Sequence, residues 1–460
     1  MEIGETGMER FPKVVKKTYF SITSSIAFWP TIIACSYFVL AICIWYFEGT
    51  RLSSFLESKI PIFKNLKEDV DNARLLLNIL ASGTITLTVF SFSMVMIVLS
   101  QASSNLSPRV IPGLVSDKSH QVVLGVNVGT IIYSLFLILS FKPGKSNATI
   151  PVIGILLGLV FGILCLALFV YFIHSISKSI QVDTIIKRIY RKALQEFKRE
   201  GEISIEDHTD EIVIEKHDWV VFGSVESGYL RRVEKDVLLE FVTDHDLLVE
   251  VMVPLGTFMV IGKPFLKFNR DVSQVKNIND IIYQCFIFSK DEMVTPDYEY
   301  NFRQITEIAV KALSPGINDP GTAYNAIDFM TLLLAERLKT KETTYLYDQN
   351  KKVRVILSRS SMDKLLFNYL TPIRTYGKND VMVILKLLDC LKTLIHLNKK
   401  EQTYYPELLK HAFAIREDAD EFIRNREDRK RVNEMLNQLQ ETCQVKAGKI
   451  ALENLTITST

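Results

Sequence analysis

The sequence predicts an α-helical membrane protein with four transmembrane helices, joined to a cytoplasmic α+β part made of a small β module and a helical domain. Three observations carry this reading. Four runs contain no Asp, Glu, Lys, Arg or His: Thr18 to Phe47, Leu75 to Pro108, Gln121 to Phe141 and Ser146 to Ile173. Each can hold the about 20 apolar residues that a membrane-crossing helix requires. After residue 180 charged residues recur every few positions, as on a water-facing surface. From Ile212 to Phe268 short runs of Val, Ile, Leu and Phe are punctuated by Gly223, Gly228, Gly256 and Gly262, the pattern of a small all-β unit. From Ile278 onward the periodicity is mostly helical.

The spans are expected near Ile26 to Phe47, Ile79 to Ser100, Val122 to Phe141 and Pro151 to His174. Trp29, Trp45 and Tyr46 sit near the ends of the first, where amphipathic rings favour the headgroup level. Ile32-Ile33-Ala34-Cys35 is spelled like a lipoprotein cleavage box, but the apolar run continues to Phe47, too long for a signal peptide. Four spans put both termini on one side. Arg10, Lys13, Lys16 and Lys17 precede the first span, and Lys178, Lys187, Arg188, Arg191 and Lys192 follow the fourth. The positive-inside rule then places both ends in the cytoplasm, although the loop from Glu48 to Arg74 also carries Lys and Arg among its acids. The expected organisation is an N-terminal cytoplasmic segment 1–25, a four-helix membrane domain 26–176, a connecting helix and linker 177–210, a β module 211–270 and a mainly helical domain 271–460.

Composition narrows the function. Lys and Arg number 54 against 52 Asp and Glu, a net charge of +2 that gives no reason to expect a nucleic acid partner. The spans hold no ionisable side chain in their interior, His174 at the end of the fourth sitting at the interface, which argues against a proton-coupled carrier, since such relays use buried Asp, Glu, Lys or His. The six cysteines form no C-x-x-C pair, so neither a zinc site nor a disulfide framework is expected. No G-x-x-x-x-G-K-[ST] loop occurs and no catalytic constellation stands out. The expectation is a protein without enzymatic activity or cofactor.

Span two carries hydroxyls in two stripes. At 100° per residue Thr84, Thr88 and Ser91 share one face, while Thr86, Ser93 and Ser100 lie opposite. Such hydroxyls either bond their own i−4 carbonyls and let neighbours pack, or line a water-filled path in an oligomer. Gly125 and Gly129 in span three, and Gly154, Gly158 and Gly162 in span four, are helix-packing positions that let another backbone approach, in the same chain or in another subunit. A homo-oligomer in the lipid bilayer is the expected assembly.

In the water-facing part, Gln181 to Glu200 reads as an amphipathic helix with Ile185, Ile186, Ile189 and Leu194 on one side. Gly228-Tyr229-Leu230, the alternating stretch Val237 to Val242, and Val253 to Gly256 before Val260-Ile261-Gly262 are similar to barrel-sandwich modules of the lipoyl and biotinyl type, without the Met-Lys-Met hairpin that carries their acyl group. Asp244-His245-Asp246 reads as a solvated turn, since adjacent strand residues point to opposite faces and rarely reach one metal ion. Arg303 to Leu313 reads as a helix stopped by Ser314-Pro315-Gly316. Asn318-Asp319-Pro320 then restarts one, with Asp319 as N-cap and Pro320 at the first helical position. Free N–H groups at that helix start, with Arg303 and Lys311 near, can hold an anion, and Asn318 and Asp319 can alternatively face a cation. Thr343 to Val355 is expected to form a hairpin around Asp348-Gln349-Asn350, and Val381 to Leu397 a core-facing helix.

The stretch Leu80 to Leu139, with Phe90-Ser91-Phe92, Gln101-Ala102-Ser103, Ser107-Pro108-Arg109, Val123-Leu124-Gly125, Gly129-Thr130 and Tyr133, resembles a bacterial family of predicted membrane proteins known as a domain of unknown function. Arg303-Gln304-Ile305 followed by Ala312 to Ala323 is similar to that family's most recognisable motif, and Gly228-Tyr229-Leu230 with Pro254 to Pro264 is a third match. The similarity covers about residues 20–340, and Phe288 to Asp297 departs from it. It implies an inner-membrane protein and supplies no activity. The reading that joins these observations is a channel-like protein. Thr84, Thr88 and Ser91 line its path, Arg109 stands near one mouth, and the Ser314 to Asp319 loop is a regulatory or ligand contact for a small ion or anion. A membrane-tethered sensor or scaffold is the rival, and a membrane-bound enzyme the weaker one.

Overall fold

A computed structural model describes residues 27–47, 70–105, 118–140, 152–204, 219–290, 298–443 and 455–456. They fall into two compact units, the first holding helices α1 to α4 and the second everything from α5 onward.

In the first unit α1 is Phe28–Phe47, α2 is Val70–Asn105, α3 is Lys118–Ser140 and α4 is Val152–Ser179. All four are long and apolar enough to cross a membrane. The 36-residue α2 starts well before the expected span, at Val70, because Asp71 suits the positive end of a helix and Ala73 and Leu77 continue the apolar seam. Trp29, Trp45 and Tyr46 are exposed on α1, as rings at a bilayer interface would be.

The glycines explain how these helices approach one another. A Cβ on Gly125 would stand 2.9 Å from Ile33 and 3.0 Å from the Pro30 Cα, and one on Gly129 would stand 2.8 Å from the Tyr37 ring. Both therefore accommodate α1. On α4, Gly154 faces Leu137 and Ile44, while Gly158 and Gly162 face Leu80. The repeat that left the neighbour's origin open is filled by the chain's own helices. The bare backbone at Gly154 also lets the Tyr133 hydroxyl donate to its carbonyl at 2.8 Å. Two separate apolar clusters result. One gathers Ala41, Ala73, Leu77, Tyr133, Leu137 and Ile155; the other gathers Val123, Phe172 and Ile176 with Met94, Val95 and Val98 against them.

The second unit opens with α5, Val182–Ser204, whose Ile185, Ile186, Ile189, Ala193 and Phe197 are buried. Its face packs on α8, Tyr298–Ala312, and α9, Pro320–Leu338, with Phe197 stacked on Tyr298. The strands are β1 Val220–Gly223, β2 Gly228–Val233, β3 Val249–Val251, β4 Phe258–Met259, β5 Pro264–Phe268, β6 Phe286–Ser289, β7 Thr343–Tyr347 and β8 Val353–Ser358. Between them lie α6, Lys235–Asp244, and α7, Ile278–Cys285. One sheet has the order β1-β5-β3-β8-β7 and a smaller one β4-β2-β6. Gly223 is needed where the chains cross closely, since a Cβ there would meet the Gly262 carbonyl oxygen at 2.7 Å.

This sheet corrects two expectations. Strands β1, β3 and β5 do not close into a barrel-sandwich within 211–270, because β3 pairs in parallel with β8 from the hairpin at 343–358. The β part therefore spans the expected boundary at residue 270. Val237 to Val242 is helix α6 rather than a strand: Leu238, Phe241 and Val242, spaced i, i+3, i+4, are the buried residues there. The core beneath combines these with Phe265, Leu266, Phe268, Phe286 and Val355.

Helices α10 Met362–Gly377, α11 Val381–Leu397, α12 Tyr405–Phe422 and α13 Arg426–Cys443 complete the unit, with α11 packed among α9, α12 and α13. The hairpin and α11 stand where the sequence places them. Fully buried Arg337, in the last turn of α9, donates to the Thr340 carbonyl at 2.7 Å and to the Ser360 carbonyl at 2.9 Å, tying α9 to the segment that starts α10. Beside that segment the Tyr369 hydroxyl meets Glu299, whose carboxyl is pushed upward by burial.

The glycine contacts rank two substitutions. Gly125→Ala forces a methyl against the Pro30 backbone and is expected to cost about 1–3 kcal/mol, the usual range for overpacking, whereas Gly83→Ala meets nothing within 4 Å and should cost nothing. Thermal unfolding of the two purified variants in detergent checks the order.

Candidate functional site

The first candidate lies inside the four-helix unit. Along α2 the residues turned to the bundle run Ala73, Leu77, Leu80, Thr84, Ser91, Met94 and Val98, the three- and four-residue steps of a helix seam. Thr84 and Ser91 are thus hydroxyls placed at seam positions, 3% and 6% exposed; Thr88 is half-buried at its edge. The opposite stripe, Thr86, Ser93 and Ser100, is exposed on the chain. Thr84 donates to the Leu80 carbonyl at 2.8 Å and Thr88 to the Thr84 carbonyl at 2.7 Å, so both spend their proton within the helix.

On α3 the buried residues Asn127, Thr130 and Ser134 recur at i, i+3 and i+7 and share one face. Thr130 and Ser134 also donate to their i−4 carbonyls, each at 2.8 Å, and the Cys165 thiol of α4 donates to the Thr130 hydroxyl at 3.4 Å. The relative height of α2 and α3 follows from their apolar contacts. Met94 and Val98 belong to the cluster that holds Val123, and Leu77 to the one that holds Tyr133 and Leu137, so the two helices run antiparallel. On α2, Thr84 and Ser91 lie between Leu80 and Met94, seven residues or roughly 10 Å apart along the helix, and on α3 Asn127 and Thr130 lie between Val123 and Tyr133. A polar layer therefore separates the two apolar clusters.

Two members of that layer have no hydrogen-bond partner among the described residues: the Ser91 hydroxyl, and both amide atoms of Asn127, which is 0% exposed. An amide kept from water without a partner costs roughly 2–7 kcal/mol. Gln121 is also buried with its Oε1 unpartnered, but it lies on the α1-facing stripe with Gly125 and Gly129. Sequence reasoning followed the hydroxyls of span two and passed over Asn127. Its signal was present, as the one carboxamide of the span from Val122 to Phe141, beside the hydroxyls of Thr130 and Ser134.

The second candidate is the loop between α8 and α9. Asp319 caps α9, accepting from the Thr322 N–H at 3.2 Å and the Thr322 hydroxyl at 2.6 Å, with Pro320 behind it. The Asp319 N–H donates to the Ala312 carbonyl at 2.9 Å, the Asn318 N–H to the Ser314 carbonyl at 2.9 Å, and the Ser314 hydroxyl to the Lys311 carbonyl at 2.6 Å. Asn318 adopts the left-handed conformation, φ 49°, that a tight reversal needs. Local hydrogen bonds thus account for the motif's spelling. Arg303 lies 11 residues before Ser314, roughly 16 Å along the helix direction, and the structure does not bring it to the loop. Arg109 lies outside the described residues.

Asp244-His245-Asp246 forms the exposed end of α6. Asp246 accepts from Arg354 at 2.7 Å and Lys352 at 3.2 Å, and these bonds pull its carboxyl down to about 2. Among the described residues no group of three His, Cys, Asp or Glu is placed to hold a metal ion, and all six cysteines are free.

Four long apolar helices with a buried polar layer, joined to a mixed α/β unit, define an integral membrane protein. The chain belongs to the family described as "Predicted membrane protein (DUF2254)", which it matches over residues 23–393. Similar relatives include uncharacterized proteins of Mycobacterium tuberculosis and Mycobacterium bovis, each 25% identical over 338 residues. The match covers 70% of this chain and spans 64% of those relatives' length. No solved structure matches the chain.

Two outcomes test these assignments. Asp319→Ala removes the cap and should lower stability by about 0.5–2 kcal/mol, read from the unfolding midpoint. Asp246 titrates below an unfolded carboxylate, so its stabilising contribution is full above pH ~4 and lost as pH falls through about 2. Carboxyl-carbon NMR should find that low midpoint in the wild type and a return toward the ordinary range in Arg354→Ala.

Proposed function

We propose that the protein is a multi-pass protein of the bacterial cytoplasmic membrane that passes a small ion along the polar layer of its four-helix unit, as a homo-oligomer regulated by the second unit. The observation that carries this reading is the pair of buried, unpartnered polar side chains, Ser91 and Asn127, held at mid-bundle between two apolar clusters. Hydrocarbon makes such groups expensive, and in membrane proteins they mark ion and substrate pathways. The absence of Asp, Glu, Lys, Arg and His from the four charge-free runs favours facilitated passage over proton-coupled transport.

Lys178, Lys187, Arg188, Arg191 and Lys192 after the fourth helix, with Arg10, Lys13, Lys16 and Lys17 before the first, support cytoplasmic ends on both sides of the chain. The second unit then faces the cytoplasm, and the Ser314 to Asp319 loop at the α8–α9 turn is its candidate regulatory contact. Since the glycine faces are used within the chain, the stripe of Thr86, Ser93 and Ser100 is the surface that supports an oligomer. The reading involves no catalytic step, cofactor or nucleic acid.

A tethered sensor or scaffold is favoured by one specific observation, that Thr84 and Thr88 bond their own helix as packing hydroxyls do. Flux separates the two. Proteoliposomes holding the purified full chain should release entrapped ions faster than empty vesicles, and Thr84→Val, which keeps the volume and deletes the hydroxyl, should reduce the rate several-fold. No flux for any ion at either sign of voltage would leave the sensor or scaffold.

A further inference from the structure

We infer that the outward face of α5 is a binding surface for the anionic phosphate headgroups of the leaflet from which α4 emerges, with Lys187, Arg188, Arg191, Lys192 and Lys198 as its cations. The inference goes beyond the permeation reading and rests only on α4 crossing the membrane.

The fold of the second unit sets this face apart. Ile185, Ile186, Ile189, Ala193 and Phe197 are the buried side of α5, packed with α8 and α9. At 100° per residue the five cations, with Thr184 and Gln195 among them, fill an arc of about 140° on the opposite side. Between Val182 and Lys198 the acids are Asp183 and Glu196, and each falls just outside that arc. Asp183 is engaged by Lys187 and by the Asn325 amide. Lys187, Arg191, Lys192 and Lys198 are exposed. Among the described residues Arg191, Lys192 and Lys198 pair with no carboxylate. Arg188 and Lys192 stand one helical turn apart, a like-charge spacing that destabilises a helix unless an anion covers it. Partial burial and then the Arg188 charge draw the Lys192 ammonium down.

Chain continuity names the partner. α4 ends at Ser179 with the exposed Lys178 in its last turn, and Ile180 and Gln181 are all that separates it from α5. Two residues reach at most about 7 Å, roughly the depth of one headgroup layer. The start of α5 therefore lies within the range at which a charged bilayer surface is felt, about 8 Å at physiological salt. The cations recur from Lys187 to Lys198, roughly 16 Å along the helix, a strip that several headgroups can cover and a single free phosphate cannot. A group of about four to eight Lys and Arg directly after a membrane helix is the composition that anionic lipids attract. Contact is by charge and not by apolar insertion, since the apolar side of α5 faces its own unit.

The test is the thermal unfolding midpoint of the purified full chain in an uncharged detergent, titrated with phosphatidylglycerol, with phosphatidylcholine or with inorganic phosphate at matched concentration. The expected result is a midpoint that rises and saturates with phosphatidylglycerol alone, and whose rise shrinks in high salt. Combining Lys187→Gln, Arg191→Gln and Lys198→Gln should raise the half-saturating lipid concentration at least tenfold, since each charge near an anionic surface is worth about fivefold in affinity. If that variant does not fold, Arg191→Gln alone should raise it about fivefold. Lys187→Arg with Lys198→Arg should respond as the wild type does. So should a charge-matched variant combining Lys341→Gln, Lys399→Gln and Lys400→Gln, which are exposed elsewhere on the second unit. An equal rise with phosphatidylcholine, Gln variants of α5 that respond like the wild type, or a charge-matched variant that loses the response equally would overturn the surface. A rise with inorganic phosphate alone would replace it by a free-anion site, and no rise with any of the three would assign the arc to an acidic protein partner instead.

Discussion

In hydrocarbon a polar group finds no water, and every hydrogen-bonding atom in the four-helix unit has to be answered from within the protein or by something it binds. The hydroxyls of Thr84, Thr88, Thr130, Ser134 and Ser140 meet this constraint with their own helix carbonyls, and Tyr133 meets it with the Gly154 carbonyl of a neighbouring helix. Ser91 and Asn127 do not. The same constraint dictates the packing. Helices gain little from burying apolar surface against each other when lipid is equally apolar, so close contact must be made by van der Waals fit. Gly125, Gly129, Gly154, Gly158 and Gly162 make room for Ile33, Tyr37, Leu137 and Leu80.

The second unit solves a different problem, because its surface meets water and its cost is the buried charge. Arg337 is fully enclosed, and its two terminal nitrogens donate to two carbonyls and the Thr340 hydroxyl. Arg354 is held between Asp348 and Asp246, which fixes the turn after α6 to strand β8. That tie and the parallel pairing of β3 with β8 make one sheet out of segments about 100 residues apart. The α8–α9 loop is set by the same economy: a cap, a proline and one left-handed Asn suffice to reverse the chain.

The two units differ in how far their own hydrogen bonds explain their polar residues. The candidate loop in the second unit is explained by its own hydrogen bonds. The polar layer is not, because Ser91 and Asn127 keep unpartnered side-chain atoms there.

The sequence by itself determined the four apolar helices, the amphipathic α5, the hairpin at 343–358, the helix α11 and the capped start of α9. Each is written in a local signal: a charge-free run, a 3.6-residue period, or a turn residue with its cap. It also marked Thr84 and Ser91 as a shared face. Tertiary structure decided what depends on partners distant in the chain. Val237 to Val242 became α6 because a core formed by Phe265, Phe286 and Val355 takes Leu238, Phe241 and Val242 at helical spacing. The β module took in β8 because β3 offered it an open edge. Gly154, Gly158 and Gly162 could have served any neighbour, and only the fold assigned them to α2, α3 and their own chain's α1. Asn127 is one of several polar residues of its span, with Thr130 and Ser134. It gains its meaning only when the fold buries it with both amide atoms unpartnered, because a hydrogen bond depends on what lies within about 3 Å in space.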